Sequence, residues 1–244
     1  MKKVFLTLLL VVCTMSAMAG DLPKQGFGMQ IGFAAPTLRL NDKTLLPKDS
    51  LVNVTKLNGL KIGVVYDASY IKGFGSTIGI NYTFAAAQDK WKADGIYGDY
   101  PRSRSMITYH EIEVFVDWQY KFELAKETYL MLYTGPSIQY GIAFNMRKEK
   151  QEFFNGDVES KTYNRYGKER PNEDLKNLNV TWGVGAGFQY QRYFLRGGYD
   201  FGIMNPYANR QFKDSDRYTR GRLDQWSIKI GMYFLYKYNS ITKR

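Results

Sequence analysis

The sequence predicts an all-β fold: an eight-stranded antiparallel up-and-down transmembrane β-barrel with short periplasmic turns and long extracellular loops. Three observations predict it. Apolar residues alternate with small or polar ones in eight separate runs. Short and long links alternate between those runs. An export leader opens the chain, and no apolar run reaches the ~18 residues that a spanning helix needs. Of the 244 residues, 16% are aromatic, and 20 Tyr and 23 Gly bias the chain toward strands and tight turns. A share of 44% apolar and 23% charged residues is not the composition of a disordered chain.

The elements follow in order. Lys2 and Lys3 precede an apolar run from Val4 to Val12, broken by Thr7, and Ala17-Met18-Ala19 supplies a small–x–small cleavage pattern. The expectation is a signal peptide over 1–19, cut before Gly20, then one barrel domain over 20–244. Val12 ahead of Cys13 does not suit a lipoprotein. Cleavage removes Cys13, the one cysteine, so neither disulfides nor thiolates carry the mature fold. It also removes Lys2 and Lys3, which takes the formal net charge from +11 to +9.

Run one is Phe27-Gly28-Met29-Gln30-Ile31-Gly32-Phe33, with period two and one greasy face. Run two sets Leu60, Ile62, Val64 and Tyr66 against Lys61, Gly63 and Val65. Run three sets Ile78, Ile80, Tyr82 and Phe84 against Thr77, Gly79, Asn81 and Thr83. Run four sets Ile112, Val114, Val116, Trp118 and Tyr120 against Glu111, Glu113, Phe115, Asp117 and Gln119. Run five has Leu130, Leu132, Ile138, Tyr140, Ile142 and Phe144 on one face, with Gly135, Ser137, Gln139 and Gly141 on the other. Run six sets Val180, Trp182, Val184, Ala186, Phe188 and Tyr190 against Thr181, three glycines and Gln189. Run seven sets Leu195, Tyr199, Phe201 and Ile203 against Arg196, Gly198, Asp200 and Gly202. Run eight sets Trp226, Ile228, Ile230, Met232, Phe234 and Tyr236 against Gln225, Ser227, Lys229 and Gly231. No helical period competes.

The links near 71–74, 121–128 and 191–193 are short; those over 41–56, 88–105, 145–176 and 205–222 are long and polar. Antiparallel strands then place every long link at one end, the anatomy of an outer-membrane barrel. The charged stretch from Arg147 to Lys150 falls within a long link and does not score as helix; the links are left without assigned secondary structure.

Alternation alone also fits a soluble barrel with a greasy interior. The second face separates the two. It is rich in Gly, Thr, Ser, Asn and Gln, and its few charges are of both signs, whereas a soluble barrel's outside carries many charges for solubility. Aromatics at the ends of the apolar face read as lipid-interface girdles: Trp118, Tyr120, Tyr190 and Tyr236 at the periplasmic end, Phe84, Phe144, Phe201 and Trp226 at the outer end. Eight strands leave an interior that side chains nearly fill. Charges there must pair, because a buried isolated ion costs several kcal/mol, in rough terms. A lumenal network joining Glu111, Glu113 and Asp117 to Lys61, Arg196 or Lys229 is therefore expected. It serves as a structural plug or as a narrow ion or proton path.

Particular residues resemble a known family. Tyr109-His110-Glu111-Ile112-Glu113-Val114 leading to Tyr120-Lys121-Phe122, then Tyr133-Thr134-Gly135-Pro136 and Gly183-Val184-Gly185-Ala186-Gly187, carry the likeness. It continues in Tyr199-Asp200-Phe201-Gly202-Ile203-Met204-Asn205 and in Ile228-Lys229-Ile230-Gly231 closing on Phe234. Together these strand and turn signatures resemble the PorT-like outer-membrane β-barrel domain family. The resemblance implies a barrel in a Gram-negative envelope and no catalytic residues. The resemblance does not itself carry a role; an accessory part in envelope secretion or assembly stands beside it as one expectation for a scaffold of this kind. Such a barrel would meet outer-membrane lipids, lipopolysaccharide and the barrel-assembly machinery.

The remaining chemistry is sparse. His110 is the one histidine, which leaves no histidine-cluster metal site, and no cofactor motif is present. An esterase would need His110 to converge with Ser103 or Ser105 and an acid, yet Glu111 points to the opposite face of a strand. No motif supports nucleic acid as a partner of this basic chain. Its excess charge sits partly in the link 205–222, where Arg217, Arg220 and Arg222 form a basic rim suited to lipopolysaccharide phosphates. The longest link, 145–176, holds Phe153, Phe154, Tyr163 and Tyr166, which suit a protein or glycan ligand. Three classes stay open: a non-enzymatic structural or loop-mediated binding scaffold, a narrow channel, and a lipid esterase.

Overall fold

A computed structural model describes residues 24–40, 55–71, 73–93, 101–153, 156–166, 175–206, 211–212, 215–218 and 221–236. The expected leader and Arg220 lie outside the described residues, as do the side chains of Arg217 and Tyr236. Eight strands form the wall: β1 (Lys24–Leu40), β2 (Asn58–Ile71), β3 (Phe74–Gln88) and β4 (Arg102–Ala125). β5 (Thr128–Gln151), β6 (Leu178–Tyr190), β7 (Tyr193–Gly202) and β8 (Gly221–Tyr236) complete it. Each pairs antiparallel with its neighbour in the chain. β8 then returns to β1, from Gly26 opposite Tyr236 to Leu40 opposite Gly221, so the ring closes.

Side-chain parity is the inverse of a soluble protein's. On β4, Ile112 and Val114 are 40% and 44% exposed, while Glu111 and Glu113 between them are 0% and 3% exposed. The same holds around the ring, where Phe27, Ile62, Ile80, Leu132, Val184, Leu195 and Ile228 face outward and Lys61, Asp67, Arg196 and Gln225 are buried. An apolar belt this wide is stable only against hydrocarbon, and a closed ring satisfies its backbone there without water. Barrels of this construction reside in the outer membrane of Gram-negative bacteria.

The short turns lie at the end that carries the start of β1 and the end of β8. Gly73 adopts φ +88°, a conformation glycine reaches without strain. Glu127 and Gln191 occupy the same left-handed region in two adjacent two-residue turns, which are tied together by Gln191 N–H donating to the Glu127 carbonyl at 2.8 Å.

Two expectations are corrected here. The stretches 102–105 and 145–151, read as loop, are strand: β4 and β5 each run for 24 residues, whereas a spanning strand needs about 9–11. Their outward parts pair Arg104 with Glu149, Arg102 with Gln151 and Thr108 with Asn145. Strands Lys92–Ala93 and Val158–Asn164 flank them to make a four-stranded sheet beyond the belt. Outside the bilayer both faces are wet, so cross-strand polar pairs replace the apolar rhythm that marks a strand in sequence. The second correction concerns Phe144. A bulge sets His110 opposite Ala143 but Glu111 opposite Gly141, so β5 carries one extra residue, Ile142. Parity flips after it, and Phe144 points inward at 1% exposure instead of joining the outer girdle.

Candidate functional site

Two places concentrate chemistry: the lumen and the outward sheet. The lumen is layered. Nearest the short turns, Asp67 accepts from Lys121 Nζ at 2.7 Å, Gln119 Nε2 at 2.9 Å and the Tyr233 hydroxyl at 2.8 Å. Lys121 also donates to Gln189 at 3.0 Å. Above it, Val65, Phe115, Met131, Phe194 and Tyr233 pack into an apolar layer. Arg196 crosses that layer, donating to Asp117 at 2.6 Å with its guanidinium 4.0 Å from the Tyr133 ring centre. Gly185 and Gly198, directly beside Tyr133 on the next two strands, are what give its ring its place, since a Cβ at Gly198 would stand 2.7 Å from the Tyr133 hydroxyl.

The next layer is polar. Lys61 Nζ donates to Glu113 at 2.9 Å and also to Gln225. Glu113 accepts further from Asn81 at 2.7 Å and Ser137 at 3.2 Å, and Gln30 donates to Asn81 at 2.6 Å. Glu111 lies beyond, bonded by the Tyr109 hydroxyl. The outer mouth is then shut by Leu38, Leu57, Ala85, Ile107, Tyr109, Phe144, Met146, Leu175 and Leu223. Chain from the far side of the outward sheet folds down into this cap. Arg165 N–H donates to the Phe144 carbonyl at 2.9 Å, and the Tyr166 ring packs edge-on against Phe144 at 6.1 Å. Gly141 gives Tyr166 its place.

The structure thus places all six expected lumenal residues on the inner wall and joins four of them in two pairs, Lys61 with Glu113 and Arg196 with Asp117. Among the described residues, Glu111 is bonded by a phenol and not by a base, and Lys229 Nζ lies 5.3 Å over the Phe115 ring with no carboxylate within ion-pair distance. The Asp67–Lys121 pair was missed. Both residues share the inward parity of Lys61 and Glu113, but Lys121 had been counted with the short link after run four.

Of the expected interface aromatics, Tyr120, Tyr190 and Trp226 face outward, with Trp226 stacked on Phe33 at 5.1 Å. Trp118 is half-buried and packs on Trp182 at 5.9 Å. His110 sits on the outer face, its Nδ1 2.6 Å from the Tyr82 hydroxyl, while Ser103 and Ser105 have the opposite parity, so the described residues assemble no triad. Arg222 is held by Asp224 at 3.0 Å.

On the outward sheet, Trp91 is covered by Arg102 at 4.9 Å and Arg104 at 4.6 Å. Arg104 and Arg147 both reach Glu149, at 2.6 and 3.0 Å, and Arg102 donates to Gln151 at 2.9 and 2.7 Å. By register these groups share one face of the sheet, three guanidiniums to one carboxylate around an indole. Its edge, Val158–Asn164, is exposed along most of its length.

No protein-family model and no curated protein matches the chain. Among solved structures it is similar to Ail, the attachment invasion locus protein of Yersinia pestis, in complex with the heparin analogue sucrose octasulfate, at 10% identity over 86% of this chain and 99% of that one, with a TM-score of 0.41. It is also similar to Neisserial surface protein A at 14% identity over 86% and 97%, with a TM-score of 0.39. The translocator domain of the autotransporter NalP from Neisseria meningitidis matches at 9% identity over 97% and 96%, with a TM-score of 0.27.

Proposed function

We propose that the protein is a non-enzymatic, non-conducting outer-membrane barrel that acts as a binding scaffold through its outward sheet, with an anionic glycan as ligand. One observation carries this reading: β4 and β5 continue as paired strands past the belt and there carry the Trp91–Arg102–Arg104–Arg147 face. A rigid sheet presents binding groups at lower ordering cost than a free loop. Arginine forks match sulfate and carboxylate, and an indole face suits a sugar ring. Two apolar layers and the buried ion pairs across the lumen support a plug over a conducting path.

The test is binding of a sulfated oligosaccharide to purified barrels in detergent, comparing wild type with an R102Q/R104Q/R147Q variant. The expected result is a loss of tenfold or more in affinity at constant gel mobility. Equal binding by both proteins, or capture of an acidic protein in preference to the glycan, overturns the ligand class. Reproducible conductance steps in a planar bilayer overturn the plug.

A further inference from the structure

We infer that Arg39, Arg222 and Lys56 form a second site, on the outer wall of the barrel, for a phosphate of the glycolipid that fills the outer leaflet. Arg39 on β1 and Arg222 on β8 stand directly opposite each other in the ladder that closes the ring. Like charges so placed repel. Asp224 holds them together: its Oδ2 takes Arg39 Nε at 3.1 Å and Arg222 Nε at 3.0 Å. The carboxylate is itself fully buried and further fixed by the Tyr199 hydroxyl at 2.8 Å and Gly202 N–H at 3.0 Å. Both ion pairs run through Nε, and both side chains remain about half exposed, at 49% and 44%, so guanidinium surface is open to a further anion. Thr37 lies opposite Asp224 on one side and Lys56 on the other, which brings a third, exposed cation to the same level. Two guanidiniums share one carboxylate, with Lys56 two strands away at the same level, so the cluster carries excess positive charge on the outer wall.

The height is right for a headgroup. Arg222 stands four residues outward of Trp226 on the same face; Phe33 stacks on that indole, Tyr199 lies opposite it, and the exposed Phe201 follows two residues further out. Four residues of a tilted strand rise roughly 10 Å, which carries Arg222 from an indole at the edge of the hydrocarbon to the outer part of the headgroup layer, about 5–8 Å deep. Acyl chains would lie on Phe33, Trp226 and Phe201 while the phosphate meets the guanidinium edges. The link 205–222 had suggested a basic rim; Arg222 reaches this site through a partner on β1 that no loop composition announces. The inference rests on the barrel spanning the membrane and not on the glycan-binding reading, so either can fail alone.

The experiment uses the purified barrel in detergent and native mass spectrometry, with bis-phosphorylated lipid A, its dephosphorylated form and phosphatidylglycerol as probes. Wild type should retain bis-phosphorylated lipid A at least tenfold better than either alternative. R39Q/R222Q should lose that preference, and K56Q, which alters an exposed side chain, should weaken it severalfold in the same direction. A mobility shift on boiling confirms that each variant is folded. Equal retention of the three lipids by wild type overturns the site, and so does unchanged preference in both variants.

Discussion

Replacing Lys61 by Met tests the claim that the lumen is dry. Lys61 is fully buried, and its ammonium is the cation bonded to Glu113. Met keeps most of the chain volume and removes the charge. Glu113 would keep Asn81 and Ser137 as donors, at 2.7 and 3.2 Å, but face no bonded cation in a packed interior. Removing one partner of a buried pair costs about 3–5 kcal/mol, and the two surviving hydrogen bonds place this case near the lower end. At 1.4 kcal/mol per decade, about 3 kcal/mol lowers the folding constant more than a hundredfold. Urea unfolding in detergent micelles, followed by tryptophan fluorescence and by the boiling shift, measures it. K61M/E113Q removes both charges and should recover to within about 1 kcal/mol of wild type. A loss under about 1 kcal/mol in K61M alone would mean that water screens Glu113, and the plug would have to be reread as a hydrated path.

Other outcomes follow from the same geometry. Phe144→Ala should cost about 3–5 kcal/mol, because the ring is packed in the outer cap, whereas Phe84→Ala on the lipid face should cost clearly less in the same urea titration. Glu111→Gln should be neutral or stabilising, since no described base is bonded to Glu111, and Glu113→Gln should destabilise; the Glu113→Gln unfolding midpoint should fall below wild type while that of Glu111→Gln should not. Gly141→Val should displace Tyr166 from the mouth and speed proteolysis within residues 156–166 at least tenfold, with the boiling shift retained.

Much of this architecture is legible in the sequence. The eight runs, the parity that sends Ile112 and Val114 outward and Glu111 and Glu113 inward, and the short turns all follow from period two. A bilayer forces strict alternation wherever strand meets lipid. Where the lipid ends, that constraint ends, and legibility ended with it. The outward parts of β4 and β5 looked like loops because Arg104 and Glu149 contribute to a strand only once they lie side by side. The inward turn of Phe144 needed the bulge at Ile142, a one-residue slip that no local composition marks. Partners within the lumen were equally out of reach. The Lys61–Glu113 and Asp67–Lys121 pairs join residues 52 and 54 positions apart, and Arg196–Asp117 joins residues 79 apart. Wherever a strand runs without a bulge, the sequence by itself determined which face a side chain takes, since parity is a local property of a strand. Only the closed ring decided which charges meet across it, because register and shear are set by all eight strands together.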